Sequence, residues 1–435
     1  MNISIPSLEI KPIDHPLNTS VRVPGSKSLT NRALLIAALA NGTTRITNAL
    51  FSDDSCYFAK ALQTLGFDIQ LNEENLEMKV TGLGGQIPAR KAELFIGNAG
   101  TAARFLSAFL TLGTGEYILD GEPRMRERPI GDLVNTLQQL GATVEPLYPS
   151  EKGRQFICPP IKIMASGLPG GCANVAGDIS SQFLSALLMV APYAQNSVEL
   201  VLATELNSKP YVDMTLAVMK EFGVEIERDG YERFVINKGQ YRSKKSYAVE
   251  SDASAASYFF AAPAICGGAV RVENISRKSI QGDIAFLDVL QKMGCQITET
   301  ANYIEVKGAT SIQGVDVDMR DTPDTAQTLA AIAPFASSPT RIRGIASARV
   351  KETDRVHATC TELARLNVRV EEHEDGMTIY PCEKFSSANI ETYNDHRMAM
   401  AFSLIGLRVD GITIENPGCV SKTFPNFFEV LESLR

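Results

Sequence analysis

Basic side chains in this chain gather beside short polar residues. Lys27 and Arg32 flank GSKSLTNRALL, Arg104 closes the polar start of GNAGTAARFL, Lys209 follows GDISSQFLSALL, and Arg397 lies inside YNDHRMAMAF. Three further clusters are RMRERP (Arg124, Arg126, Arg128), RVKETDR (Arg349, Lys351, Arg355) and SKTFP (Lys422). Arginine offers a planar fork that fits carboxylate and phosphate oxygens, and lysine a compact charge that can also give up a proton. Placed at helix starts, where unsatisfied N–H groups already favour negative charge, they imply a site for more than one anionic group. Ordinary capping by Ser, Thr, Asp or Asn accounts for any single one of these starts. The cations beside several of them are what capping does not explain.

The positioning elements repeat. Six openings, marked by Ser28, Thr101, Ser181, Ser254, Thr325 and His396, are spaced by 73, 80, 73, 71 and 71 residues. Each begins a short apolar helix. In register with them run LQTLGFDIQ, LQQLGATVEP, MKEFGVEIER, LQKMGCQITE and LARLNVRVEE, read as amphipathic helix ends followed by strands. Gly66, Gly141, Gly223, Gly294 and Asn367 fall where a helix stops in the left-handed conformation. Units of this length hold two helices and several strands, so the repeat is a domain-scale one.

At 435 residues the chain exceeds one ordinary core, and two domains of three repeats suit the usual domain size. The expected division is 25–250 against 1–24 plus 251–435, with crossings near 24 and 251 that would act as a hinge. The strand-like segment from Leu8 to Val23 finds no partner in the first repeat and is assigned to the second domain.

An apolar fraction of 44%, a charged fraction of 21% and a net charge of −8 describe a globular protein and disfavour non-specific nucleic-acid binding. Eight dispersed cysteines without CxxC pairs read as reduced, mostly buried thiols, and four histidines give a metal site little to draw on. GSKS lacks the first glycine of a P-loop, and TGLGGQ is no dinucleotide fingerprint. The opening MNISIPSLEIKP lacks the basic start and apolar run expected of a signal peptide. The uncharged run Ala253 to Val270 reads as a buried helix and turn rather than a membrane span, so a cytoplasmic location with no membrane partner is expected.

In order along the chain, PGSKSLTNRALL, LFIGNAGTAARFL, GEPRMRERPIGDL, SSQFLSALL, SKPYVDMT, RVKETDR, YNDHRMAMAFSL and SKTFPNFF resemble the 5-enolpyruvylshikimate-3-phosphate synthase family. The resemblance implies an α/β fold of α+β type. Each of its two domains holds three βαβαββ units whose helix N-termini face a cleft between the domains. It implies transfer of the enolpyruvyl group of phosphoenolpyruvate to the 5-hydroxyl of shikimate 3-phosphate with release of phosphate, by a monomer using no metal or organic cofactor.

By the same resemblance, shikimate 3-phosphate would be held by Lys27, Ser28, Arg32, Ser180, Ser181, Gln182, Ser208, Tyr211, Asp324, Ser347 and Lys351. Phosphoenolpyruvate would be held by Lys27, Gly100, Arg128, Gln182, Arg355, Arg397 and Lys422. Asp324 matches the general base, and the acid that protonates carbon 3 is to be sought among Glu352, Lys27, Lys422 and His396. Arg104 reads as a support. The chain departs from the family at Ser347, where Asn is common, and at Phe105, where Pro is usual and whose absence is expected to shift the start of its helix. Gly100 implies binding of glyphosate in competition with phosphoenolpyruvate.

Two alternatives remain in view. The sister transferase that uses UDP-N-acetylglucosamine carries a reactive Cys in the loop that here reads GEPRMRERPIG, and no Cys lies between Cys56 and Cys158. A non-catalytic anion-binding protein would be expected to lose Asp324, Glu352 or Lys27, and all three are present.

Overall fold

A computed structural model of the chain describes residues 6–148 and 157–435. Contacts divide it into two compact units, Gly25–Val249 and Met1–Pro24 with Glu250–Arg435. Glu250 goes with the second unit because its carboxylate accepts hydrogen bonds from Ser279 and Gln281.

In Gly25–Val249 the helices are α1 (Lys27–Leu39), α2 (Asp53–Thr64), α3 (Gly100–Leu110), α4 (Gly131–Gln139), α5 (Ser181–Val190) and α6 (Lys209–Glu221). Odd- and even-numbered members differ in kind. Helices α1, α3 and α5 are buried almost all round, as a helix apolar on every face must be. Helices α2, α4 and α6 bury one face and end at Gly66, Gly141 and Gly223, which take φ of 95°, 88° and 91°. Only a residue without Cβ adopts that stop without strain.

Each repeat of this unit folds as one four-stranded sheet. Lys91–Phe95 runs parallel to Thr114–Asp120 across α3; after α4 the hairpin Thr143–Pro146 and Ile161–Ser166 returns antiparallel. That is a βαβαββ unit. The repeat opened by α1 borrows its first strand from the far end of the unit, since Tyr247–Ala248 pairs in parallel with Asn41–Thr47. Phe58, Phe105, Phe67 and Phe109 pack between the helices.

The second unit holds α7 (Ala253–Cys266), α8 (Phe286–Lys292), α9 (Ala326–Ile332), α10 (Arg355–Arg365), α11 (His396–Gly406) and α12 (Phe427–Glu432). It closes the same way: Leu17–Arg22 lies parallel to Gly268–Glu273 and completes the α7 repeat. The segment expected as one strand from Leu8 to Val23 is in fact two, because Ser7–Ile10 pairs with Ile412–Glu415 in another sheet. The break falls at Lys11–Pro16, where Pro12 and Pro16 withhold ladder donors. The sixth repeat is the irregular one, with three strands instead of four.

Ala253–Cys266 is a buried helix followed by a glycine turn, as the uncharged run implies. Among the described residues no helix is long and apolar enough to cross a membrane, and no group of three or more His, Cys, Asp or Glu is placed to hold a metal ion. None of the eight cysteines forms a disulfide. They are less buried than expected: Cys56 and Cys172 are exposed and only Cys295, Cys360 and Cys419 fully enclosed.

Candidate active site

In Gly25–Val249 the first opening is a helix start capped by Ser26, whose hydroxyl accepts the Leu29 N–H. Lys27, the first helical residue, points its ammonium at Asp54 at 3.5 Å. Arg32, one turn beyond Ser28, is buried. It donates to the Ser28 carbonyl (3.0 Å), the Tyr211 carbonyl (3.1 Å), the Thr215 hydroxyl (2.8 Å) and the Ser185 hydroxyl (3.3 Å). No carboxylate among the described residues pairs with it, and burial brings its pKa down to about 10. A cation buried against neutral oxygens favours an anion arriving from outside.

The same bonds draw other predicted residues together. Tyr211 is the third residue of α6, which begins after Ser208 in the left-handed conformation (φ 58°). Ser180 caps α5 by accepting the Gln182 N–H, and the Gln182 amide lies 3.5 Å from the Thr101 hydroxyl on α3. Ser181 opens α5 beside them. Gly100 opens α3, and a Cβ there would stand 2.4 Å from Nη2 of Arg128. Arg128 is buried and donates to the carbonyl and side-chain oxygens of Asn98. The other arginines of RMRERP turn to surface ion pairs, Arg124 with Glu127 and Arg126 with Asp120. Arg104 donates to the carbonyls of Gly100 and Pro129. Lys209 turns to Glu205.

The second unit gathers a different set. Asp324, in the turn Pro323–Thr325 before α9, accepts from Arg397 at 2.7 Å and Arg355 at 3.1 Å. Arg355 also binds Glu352 at 2.8 Å and Asp395 at 2.7 and 3.2 Å. Lys422 lies 3.8 Å from Glu352. Burial opposes the charge of Arg355, yet Asp395, Glu352 and Asp324 outweigh it and hold its pKa above the usual arginine value. Ser347 is buried in the turn Ala346–Val350, and the half-buried Lys351 follows it toward Glu352. Arg349 is spent on Asp354 and Glu372.

The fourth opening is filled from within its own unit, since Asp252 caps α7 and the Asp283 carboxylate accepts the Ser254 hydroxyl. Two expectations change. His396 is fully buried at the first residue of α11, 3.4 Å from Asp395, so it has no surface with which to reach a substrate. Phe105 is the sixth residue of α3, past the first turn, and α3 still opens at Gly100. Its buried ring lies 5.4 Å from the Arg32 guanidinium, a packing role that leaves the helix start unmoved.

Sequence reasoning missed Asp395, Asp54, Asn98 and the Ser185–Thr215 pair. Asp395 had a signal, since it stands just before a helical pattern where an N-cap belongs, and its side chain accepts the Arg397 N–H. Ser185 and Thr215 had none, being mid-helix residues that only packing brings under Arg32.

The solved structure of the enolpyruvyl transferase NikO from Streptomyces tendae shares this fold (TM-score 0.78, 18% identity, covering 98% of this chain and 97% of that one). An EPSP synthase structure from Acinetobacter baumannii matches with TM-score 0.80 at 27% identity, covering 98% of this chain and 97% of that one. The family model for EPSP synthase (3-phosphoshikimate 1-carboxyvinyltransferase) matches residues 12–431. A 3-phosphoshikimate 1-carboxyvinyltransferase of Nostoc punctiforme is 51% identical over 97% of both chains, and one of a Sulfurovum species 50% identical over 98% of this chain and 99% of its own. The chain belongs to the EPSP synthase family.

Proposed function

We infer that the protein moves the enolpyruvyl group of phosphoenolpyruvate onto the 5-hydroxyl of shikimate 3-phosphate and releases phosphate. Family membership across residues 12–431 supports that reaction. The observation in this chain that carries it furthest is Arg32, buried with no carboxylate partner among the described residues and ringed by Ser28, Tyr211 and Ser185. A substrate bearing both a carboxylate and a phosphate supplies the missing charge.

In this reading Lys27, Ser28, Arg32, Ser180, Ser181, Gln182, Ser208, Tyr211, Ser347 and Lys351 bind shikimate 3-phosphate. Phosphoenolpyruvate is held by Lys27, Gly100, Arg128, Gln182, Arg355, Arg397 and Lys422. When its anionic groups take up Arg355 and Arg397, Asp324 loses two stabilising partners and becomes the stronger base. Asp324 then accepts the proton of the 5-hydroxyl, whose oxygen attacks carbon 2 while carbon 3 is protonated. Lys27 and Lys422 are the better donors to carbon 3. Glu352 lies between Arg355 and Lys422, both of which favour its charged form. The tetrahedral adduct then collapses: the carbon–oxygen bond to phosphate breaks, a proton leaves carbon 3, and the cations stabilise the departing phosphate.

We also propose that the chain crossings near 24 and 251 act as a hinge, and that the enzyme is a cytoplasmic monomer. Sedimentation at the chain mass of 47.2 kDa checks the last point. Glyphosate should compete with phosphoenolpyruvate, and lack of inhibition at millimolar concentration would argue against Gly100 as part of that subsite.

The test is phosphate release from phosphoenolpyruvate with shikimate 3-phosphate, run beside UDP-N-acetylglucosamine as acceptor. Release that needs shikimate 3-phosphate and collapses in Asp324→Ala is the expected result. Release with the nucleotide sugar alone, or none with either acceptor, would overturn it.

A further inference from the structure

The segment Glu391–Asp395 leads into α11 and delivers Asp395 and Arg397. It holds two consecutive non-glycine residues in the left-handed region, Tyr393 and Asn394, each with φ of 53°. Side-chain-bearing residues keep that conformation only where their surroundings hold them. Here one face of α10 does so. Arg355, Thr359 and Glu362, spaced i, i+4 and i+7, lie along one stripe and are all buried. Arg355 grips the Asp395 carboxylate, and Thr359 donates to the Met398 sulfur at 3.6 Å.

Glu362 grips the other end. Its carboxylate accepts the Tyr393 hydroxyl at 2.8 Å and the Glu391 N–H at 3.2 Å, with Arg365 at 3.3 Å as its cation. Burial, and then the Glu362 charge, push the Tyr393 phenol up to about 12, so it remains a donor throughout the working pH range. From the opposite side the Asn416 amide donates to Asn394 at 3.1 Å. Asn416 is itself left-handed and caps the turn Pro417–Lys422, which ends at Lys422.

We propose that Glu362 and Tyr393 are positioning residues for the phosphoenolpyruvate half of the reaction: Glu362 anchors Tyr393, the anchored left-handed pair fixes Asp395 and Arg397, and these set the geometry of Arg355 and Asp324. Neither residue touches a reacting atom. The inference rests on the reading that Arg355 and Arg397 hold phosphoenolpyruvate.

Steady-state kinetics of the full-length Tyr393→Phe and Glu362→Gln variants, with each substrate varied and a thermal melt alongside, test it. Losing one charge-assisted hydrogen bond from the brace is expected to raise the KM for phosphoenolpyruvate about tenfold in Tyr393→Phe. The KM for shikimate 3-phosphate should change by less than about twofold, within the range of an unperturbed contact. Glu362→Gln keeps an acceptor for the phenol and should show the smaller effect; should it fail to fold, Tyr393→Phe decides alone. An unchanged KM for phosphoenolpyruvate, or an equal rise for both substrates, would overturn the proposal. Wild-type protein run in parallel separates the two readings, since a silent wild type indicts the assigned reaction and an active one with an indifferent variant indicts only this brace.

Discussion

Arg32 and Arg355 are both buried arginines near helix starts, and they are held in opposite ways. Arg32 is surrounded by two carbonyls and two hydroxyls, and its pKa is depressed. Arg355 is surrounded by the three carboxylates of Asp324, Glu352 and Asp395, and its pKa is raised. The first has no carboxylate partner among the described residues, which is why the proposed function makes it the receptor for an incoming anion. The second belongs to a balanced cluster, in which Arg355, Arg397 and Lys422 face the same three acids. An anion should therefore bind at Arg32 with little rearrangement, whereas one binding at Arg355 and Arg397 must take them from Asp324. In the proposed mechanism that exchange would link binding to the activation of Asp324 as the base.

The contrast can be tested from both sides, beginning with the largest effect. Asp324→Ala removes the base and should lower turnover by about 10²–10⁴-fold, the usual contribution of a general base, measured as phosphate release at saturating substrates. Arg355→Met leaves three carboxylates without their shared cation and should cost about 3–5 kcal/mol in denaturant unfolding. Arg32→Met removes a cation that no acid balances and should cost less than about 2 kcal/mol in the same experiment. Equal losses would show that the two arginines are not held differently. Gly100→Ala drives a Cβ into Arg128 and should raise the KM for phosphoenolpyruvate about tenfold through displacement of that guanidinium.

The smallest effect is a pH dependence. Arg32 titrates near 10 when folded against an ordinary 12.5, so the unfolded chain binds the additional proton between those values. Folding therefore gains stability as pH rises through about 10, where the burden of the buried charge is lifted. Arg32→Met has no such group. The stability of the variant relative to wild type should therefore fall further above pH 10, as read by paired melts at pH 8 and pH 10.5.

Much of the fold could be read from the residues. The six openings, and the stops at Gly66, Gly141, Gly223, Gly294 and Asn367, are local signals, and a helix start or left-handed stop is decided by a few neighbouring residues. The candidate residues stand out in their motifs, but their pairing does not. RMRERP offers three arginines, and nothing local says that Arg128 turns inward while Asp120 and Glu127 hold the other two at the surface. Asp395, forty residues beyond Arg355, is its strongest partner only because α10 and α11 meet. Glu362 reads as one more charge on an amphipathic helix until Tyr393 is found against it. The self-occupied start of α7 likewise depends on Asp283, twenty-nine residues on.

Calorimetric titration of shikimate 3-phosphate, without phosphoenolpyruvate, into wild type, Asp324→Ala and Arg32→Met would decide whether Arg32 is the receptor. The account predicts that Asp324→Ala binds within about tenfold of wild type, and that Arg32→Met binds at least about 100-fold more weakly, the loss expected for a buried charge-assisted pair. Wild-type affinity in Arg32→Met would contradict it.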